Sequence, residues 1–244
     1  MPVISALSRK RFCLSRLQGF TLVELTMVLV IMGLLLSSLM SPLTAQIDQR
    51  NYKQTERQID EIREALIGFA LTHRRLPRPA TSLSDGSENP ATCPNNAACT
   101  GFIPWTTLGL RKIDAWNKMI RYSVTPAYAN DVFSLGTNGN KKVLTRDSAG
   151  VTDYLVGSAS GCSPCAPAII YSQGKNNWGT SAEGVAQPDL SATNADEDNN
   201  ETATTSFFSR DQGTVPNGGE FDDIVTWLPP YILFNRMVAA GILP

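Results

Sequence analysis

The fold is decided by a stretch near the start of the chain, Gly19-Phe-Thr-Leu-Val-Glu-Leu-Thr-Met-Val-Leu-Val-Ile-Met-Gly-Leu-Leu-Leu-Ser-Ser-Leu-Met40. Residues 25–47 contain no charged side chain, whereas residues 1–19 carry four basic side chains and no acidic one. A helix over residues 20–41 reaches about 33 Å, which matches the hydrocarbon thickness of a bilayer. Because the basic residues precede the apolar run, they predict an N-terminus in the cytoplasm and the rest of the chain across the membrane.

The composition excludes several classes of protein. Of the 244 residues, 42% are hydrophobic and 18% are charged, with 21 basic against 22 acidic side chains. This apolar content is too high for a disordered chain, and the lack of a basic excess argues against a nucleic-acid-binding protein. The length allows one large or two small domains.

Glu24 lies inside the apolar run, and an ordinary secretory signal does not explain it. A carboxylate inside a membrane helix costs about 2.5–3.5 kcal/mol on insertion scales and is by default read as functional. Two alternatives stay open. The carboxylate could reach the membrane interface by itself, or the segment could be a conventional signal that is cut near Ala45.

The motif Gly19-Phe-Thr-Leu-Val-Glu24, behind a basic leader and before a long apolar run, resembles the signal of type IV pilins and type II secretion pseudopilins. The resemblance implies that a prepilin peptidase/N-methyltransferase cleaves between Gly19 and Phe20, methylates the Phe20 amine and leaves the apolar helix in place. It implies that Glu24 neutralises the N-terminal amine of a neighbouring subunit, since burying either charge alone is costly. The implied partners are this peptidase, other pilin or pseudopilin subunits and an inner-membrane assembly platform.

This resemblance implies an α+β fold in which a long N-terminal helix, membrane-spanning in its first half and amphipathic in its second, packs on a small antiparallel sheet with long loops. Four segments are expected: a leader over 1–19, a transmembrane and filament-core helix over 20–41, an amphipathic stalk helix over 42–76 and a periplasmic head over 77–244.

Periodicity within the last two segments supports that division. The stalk helix has one apolar stripe, which predicts packing on the sheet and comprises Ile59, Ile62, Leu66 and Phe69. Alternation predicts a strand at residues 120–124, a strand followed by a turn is expected at 131–135, and residues 168–172 are expected to form another strand. Residues 173–220 are rich in Gly, Asn, Ser, Thr and Asp, which predicts a long irregular surface loop. A short C-terminal helix is expected to start near Pro230.

An acidic cluster lies inside that predicted loop. Asp196, Glu197 and Asp198 offer the carboxylate oxygens that Ca²⁺ prefers, and related pseudopilins carry a calcium site in a C-terminal loop. The chain has no EF-hand spacing, so a solvated acidic loop without metal is the competing interpretation. No cofactor is therefore expected other than calcium at these three residues.

Loss of the leader would leave four cysteines: Cys93, Cys99, Cys162 and Cys165. An even number on the oxidising side of a membrane predicts two disulfides; three connectivities are open, and local pairing is favoured. A redox dithiol at Cys162-x-x-Cys165 and a zinc site are the alternatives. Gly161 and Pro167 place this pair in a loop between strands, which argues against a thioredoxin-like enzyme.

The sequence therefore predicts a structural subunit, either a secretion pseudopilin or a minor pilin of a type IV pilus. It would be stored as a single-pass protein of the bacterial inner membrane, with its head in the periplasm, and assembled into a filament. No catalytic arrangement stands out, so no enzyme is expected; the alternative is a membrane-anchored periplasmic dithiol-disulfide enzyme. Without the leader, acidic side chains outnumber basic ones, so no binding of nucleic acid is expected.

Overall fold

A computed structural model describes residues 19–244, except for the side chains of residues 37–42. Residues 1–18 of the predicted leader lie outside the described residues. In chain order the elements are α1 (Leu22–His73), β1 (Thr100–Phe102), α2 (Trp105–Leu108), β2 (Arg121–Val124), α3 (Pro126–Ala129), β3 (Lys142–Arg146), β4 (Thr152–Val156), β5 (Ala168–Ser172), α4 (Ala195–Thr202), β6 (Ser206–Phe208), β7 (Ile224–Trp227) and α5 (Pro230–Ala239).

Helix α1 is bounded by local signals at both ends. The Thr21 hydroxyl accepts a hydrogen bond from the backbone N–H of Glu24 at 3.2 Å, as an N-cap does. After His73 the chain adopts a left-handed conformation at Arg74, with φ of 60°, which ends the helix. Pro42 lies inside α1, so the helical segments predicted before and after it form one element.

The chain divides into two compact units at the end of Ile47, and the second unit comprises Asp48–Pro244. The buried hydrophobic residues among those described begin at Ile59, so they all belong to the second unit. This unit, which we call the head, therefore contains its own hydrophobic core.

The first sheet of the head is four-stranded and antiparallel, with the spatial order β1-β2-β5-β7. On one face, Tyr122, Val124 and Ile170 share a core cluster with Ile62 and Leu66 of α1. All five residues of β5 are buried, because both faces of this inner strand are covered. The predicted packing of the stalk helix on an antiparallel sheet is thus confirmed.

A second, three-stranded sheet covers the opposite face of the first. Its order is β4-β3-β6, and the β3–β6 pair is parallel, unlike the single antiparallel sheet that the sequence predicts. Ile169 and Tyr171 of β5 pack with Val143 and Phe207 of this second sheet. The head therefore has three layers: the helix, the four-stranded sheet and the three-stranded sheet.

Two predictions about the head are wrong. Residues 131–135 form no strand, because Phe133 turns inward and packs on Tyr128 with ring centroids 4.7 Å apart. Residues 173–220 are not one irregular loop, since they contain α4 and β6. The acidic cluster is consequently part of a helix, and Asp196 and Glu197 are buried in it instead of solvated.

Candidate functional site

The segment predicted for processing and assembly begins with Gly19 and Phe20, which Thr21 separates from the start of α1 at Leu22. Phe20 is 81% exposed, and every large apolar side chain from Leu22 to Leu36 is at least 46% exposed. Glu24 is exposed in the first turn of this helix. A contiguous apolar surface of this kind marks a site of association with protein or membrane. Within residues 19–244, as far as they are described, no helix meets the length and apolarity needed to cross a membrane.

In the head, the segment Asp114-Ala-Trp116 forms a tight turn before β2. Asp114 Oδ1 accepts hydrogen bonds from the backbone N–H groups of Trp116 and Lys118, each at 2.9 Å. Asp114 Oδ2 accepts a hydrogen bond from Ser172 Oγ of β5 at 2.5 Å. Burial raises the pKa of the Asp114 carboxyl group, and these three hydrogen bonds oppose the rise. The turn is thereby fixed, and with it the starting point of the Lys118 side chain.

Lys118 is 6% exposed, and its ammonium group binds the loop that follows β5. Lys118 Nζ donates hydrogen bonds to the carbonyl oxygens of Gln173 at 3.0 Å, of Asn177 at 2.7 Å and of Asn176. Burial lowers the pKa of the Lys118 amine, and the nearby negative charges, chiefly that of Asp222, oppose this lowering. One cation thus organises three carbonyl groups of a single loop.

Two of the acidic residues predicted as calcium ligands, Asp196 and Asp198, have separate partners. Asp196 is fully buried and forms salt bridges with Arg146 Nη2 and Arg210 Nε, each at 2.8 Å. Asp198 accepts a hydrogen bond from Trp178 Nε1 at 2.8 Å. The structure therefore does not bring these two carboxylates together around one point.

Glu197, the third predicted ligand, belongs instead to a group that we call the carboxylate cluster: Glu197, Asp222 and Asp223. Carboxylate oxygens of these residues all lie within 4.8 Å of one another. Glu197 Oε1 accepts a hydrogen bond from the backbone N–H of Asp222 at 2.7 Å, and Glu197 Oε2 accepts one from Asn177 Nδ2 at 3.0 Å. Burial raises the pKa of all three carboxyl groups, and repulsion between neighbouring charges raises those of Glu197 and Asp223 further.

The oxygen atoms around the carboxylate cluster do not suit Ca²⁺, which takes six to eight oxygen ligands at about 2.3–2.6 Å. The three loop carbonyls are bound by the Lys118 ammonium group. Among the buried side-chain oxygens that the structure describes, two lack a hydrogen-bond partner, Asn194 Oδ1 and Asp222 Oδ1. These two oxygens by themselves fall short of the ligand number of this ion, and the positive charge of Lys118 already acts on Asp222.

The cysteines form two local disulfides, the connectivity that the sequence favours. Cys93 joins Cys99 and Cys162 joins Cys165, with Cα–Cα distances of 5.2 Å and 4.9 Å. Asn130 fixes the first disulfide, since its Nδ2 donates to Cys93 O at 2.8 Å and its Oδ1 accepts from Cys93 N at 3.0 Å. The second disulfide lies in the connection between β4 and β5 and not at a strand-to-helix junction.

Sequence reasoning missed several buried charged groups, among them Lys118, Lys141 and the pair Asp222-Asp223. Lys141 Nζ donates hydrogen bonds to Asn96 Oδ1 at 3.1 Å and to Thr204 O at 2.5 Å. Burial lowers the pKa of Lys141 from 10.5 to about 7. For the lysines the sequence offers no signal, because lysine is almost never fully buried unless it is paired, and the partners of these two are distant in the sequence. For Asp222 and Asp223, the sequence offers a weak signal, since two adjacent acidic residues stand directly before a strand.

Comparison with known proteins identifies one family. Residues 42–150 match the family model described as type II secretion system (T2SS), protein G. No curated protein and no solved structure matches the chain. The matched range ends before β4, so it excludes the carboxylate cluster, and it also excludes the Gly19–Glu24 motif. The motif and the match thus come from different parts of the chain, and both support the type IV pilin and type II secretion pseudopilin family.

Proposed function

We propose that this chain is a structural pseudopilin that is stored in the bacterial inner membrane and assembled into the filament of a type II secretion system. The observation that carries the proposal is the motif Gly19–Glu24, which lies at the start of α1 and continues into the exposed apolar surface from Leu22 to Leu36. The family match over residues 42–150 supports the assignment to type II secretion.

The proposed topology is single-pass, with a cytoplasmic N-terminus, a transmembrane helix over residues 20–41 and a periplasmic head. Its support is the charge pattern, since four basic residues precede a run, residues 25–47, that has no charge. The two disulfides of the head agree with an oxidising compartment.

For assembly, we propose that cleavage after Gly19 frees the amine of Phe20, and that Glu24 of a neighbouring subunit neutralises this amine inside the filament. Glu24 belongs to the first turn of α1 and has an exposed side chain, so it is accessible to a second chain. Pairing the two charges offsets much of the cost of burying each one among apolar side chains. The proposed partners are the prepilin peptidase/N-methyltransferase, other pseudopilins and the inner-membrane assembly platform.

The test is the intact mass and N-terminal fragmentation of the full chain, purified from membranes with and without co-expressed prepilin peptidase. We expect a mature species that begins with N-methyl-Phe20 and depends on the peptidase. An uncut chain, or a start near Ala45, would remove the basis of the proposal.

A matched variant separates processing from assembly. Glu24→Gln keeps the size of the side chain but removes its charge, so it should be cleaved and methylated normally while failing to enter sheared filaments. Deletion of the gene should reduce type II secretion. If it instead reduces pilus-dependent adhesion or motility, the subunit is a minor pilin of a type IV pilus, and dithiol exchange activity of the purified head would favour the anchored enzyme.

A further inference from the structure

In the loop that follows β5, residues 173–177, backbone carbonyl groups bind a cation and backbone N–H groups bind a carboxylate. Carbonyl oxygens of Gln173, Asn176 and Asn177 converge on Lys118 Nζ. On the other side, backbone N–H groups of Lys175 and Asn176 donate to Asp222 Oδ2 at 3.0 Å and 2.8 Å. We call residues 173–177 the carbonyl loop, because its fold depends on a cation on one side and a carboxylate on the other.

The carbonyl loop needs such an anchor. Gly174 has φ of 55°, and two residues with side chains, Asn177 and Trp178, have φ of 25° and 45°. Left-handed conformations in residues other than glycine are unfavourable, and they persist where surrounding contacts hold them. Three carbonyl dipoles that point at one place also repel each other unless a positive charge lies between them.

We propose that the Lys118 ammonium group is the resident cation of this part of the head, and that the head therefore folds without a divalent metal ion. The inference rests on the contacts of the head alone and not on the proposed function. Lys118 is covalently part of the chain, so its charge stays in place whatever the concentration of free cations.

The surrounding carboxylates support this assignment, because their oxygens are largely taken by N–H donors. Besides the bonds from Asp222 N and Asn177 Nδ2, Glu197 Oε2 accepts a hydrogen bond from Asn194 Nδ2 at 3.1 Å. Asp223 Oδ2 accepts one from Asn200 Nδ2 at 2.8 Å. A calcium ion would compete with these donors for the carboxylate oxygens, would take the loop carbonyls from the ammonium group and would remain close to its positive charge.

The experiment uses the full chain in detergent micelles and follows thermal unfolding by tryptophan fluorescence, in millimolar CaCl₂ and in EDTA. For the wild-type chain we expect the same Tm in both, and no heat of calcium binding by titration calorimetry. A Tm that rises with calcium or falls with EDTA would overturn the proposal. This comparison needs no variant, so it decides the question even where a substitution prevents folding.

Three variants then test the role of the ammonium group. Lys118→Met removes the charge at similar length and should lower Tm, whereas the matched control Lys175→Met should not. Lys175 belongs to the same loop, but its side chain is 46% exposed in a surface pair with Asp48. Lys118→Ser vacates the ammonium position, so its Tm should fall in EDTA and recover with calcium. The proposal is overturned if Lys118→Met has the same Tm as Lys175→Met, or if calcium does not raise the Tm of Lys118→Ser. In either case the Lys118 ammonium group is not the resident cation of the carbonyl loop.

Discussion

Asp196 holds α4 to the rest of the head, and its neutralisation should destabilise the fold strongly. The carboxylate is fully buried between Arg146 and Arg210, whose side chains are 12% and 3% exposed. Asp196→Asn preserves the shape of the side chain but leaves two guanidinium groups without their counter-ion. Because Arg146 lies on β3 and Arg210 follows β6, the substitution weakens the attachment of α4 to the second sheet.

The magnitude follows from the burial of the three groups. Removing one partner of a buried ion pair costs about 3–5 kcal/mol. Both arginines keep carbonyl acceptors, Gly150 O for Arg146 and Gly213 O and Gly219 O for Arg210, so we expect the lower end, about 3 kcal/mol. For a domain of this size, each kcal/mol lowers Tm by about 2–4 °C, so Tm should fall by roughly 6–12 °C.

The assay is urea denaturation of the full chain in micelles, followed by tryptophan fluorescence, with thermal unfolding as a second measurement. The matched control is Asp198→Asn, which makes the same change of charge on the same helix. The amide introduced by this control would keep an oxygen for the Trp178 indole, so the control should lose about 1 kcal/mol or less. Equal losses in the two variants would refute the argument that burial and the double ion pair set the cost.

Further predictions concern the pH dependence and the disulfides. The pKa of Lys141 is about 7 in the folded chain and near 10.5 in the unfolded chain, so the unfolded chain binds more protons between these two pH values. The free energy of unfolding should therefore rise with pH from about 7 to 10.5. Urea titrations at several pH values should show this rise, and the Lys141→Met variant should show a smaller one. Loss of the Cys93–Cys99 disulfide, with a sequence separation of 6, should cost about 2 kcal/mol from chain entropy. Loss of Cys162–Cys165, with a separation of 3, should cost about 1.6 kcal/mol, so the double-alanine variant of the first pair should be the less stable of the two. A larger loss for the second disulfide in denaturant titrations would contradict this order.

The apolar part of the fold was predictable because burial leaves a periodic mark on the sequence. Ile59, Ile62 and Leu66 recur at the helical period and pack on the sheet as expected. Residues 168–172 form β5 with the predicted bounds, since a short apolar run between turn residues is typical of a covered strand. The predicted strand at residues 131–135 failed because alternation does not reveal that Phe133 has a tertiary partner in Tyr128.

The polar core was not predictable for a different reason. Asp196 is paired with Arg146 across 50 residues of sequence, and Lys118 reaches Gln173 across 55. No local pattern records such pairings, so an acidic segment that is buried and paired has the same composition as a solvated loop. The choice between the two depends on long-range partners, and a single sequence does not contain that information.

The buried charged groups of the head and the exposed apolar side chains of α1 have different consequences for the proposed assembly. Within the described head, the buried charge of Asp196 is met by two arginines, and the carbonyl loop is held by Lys118, so both anchors are part of the same chain. The large apolar side chains from Leu22 to Leu36 are, in contrast, each at least 46% exposed. In the proposed function, a bilayer or neighbouring helices would bury these side chains. Association is therefore expected to depend on α1 before Ile47, and substitutions in the buried polar core should change the stability of the head before they change assembly.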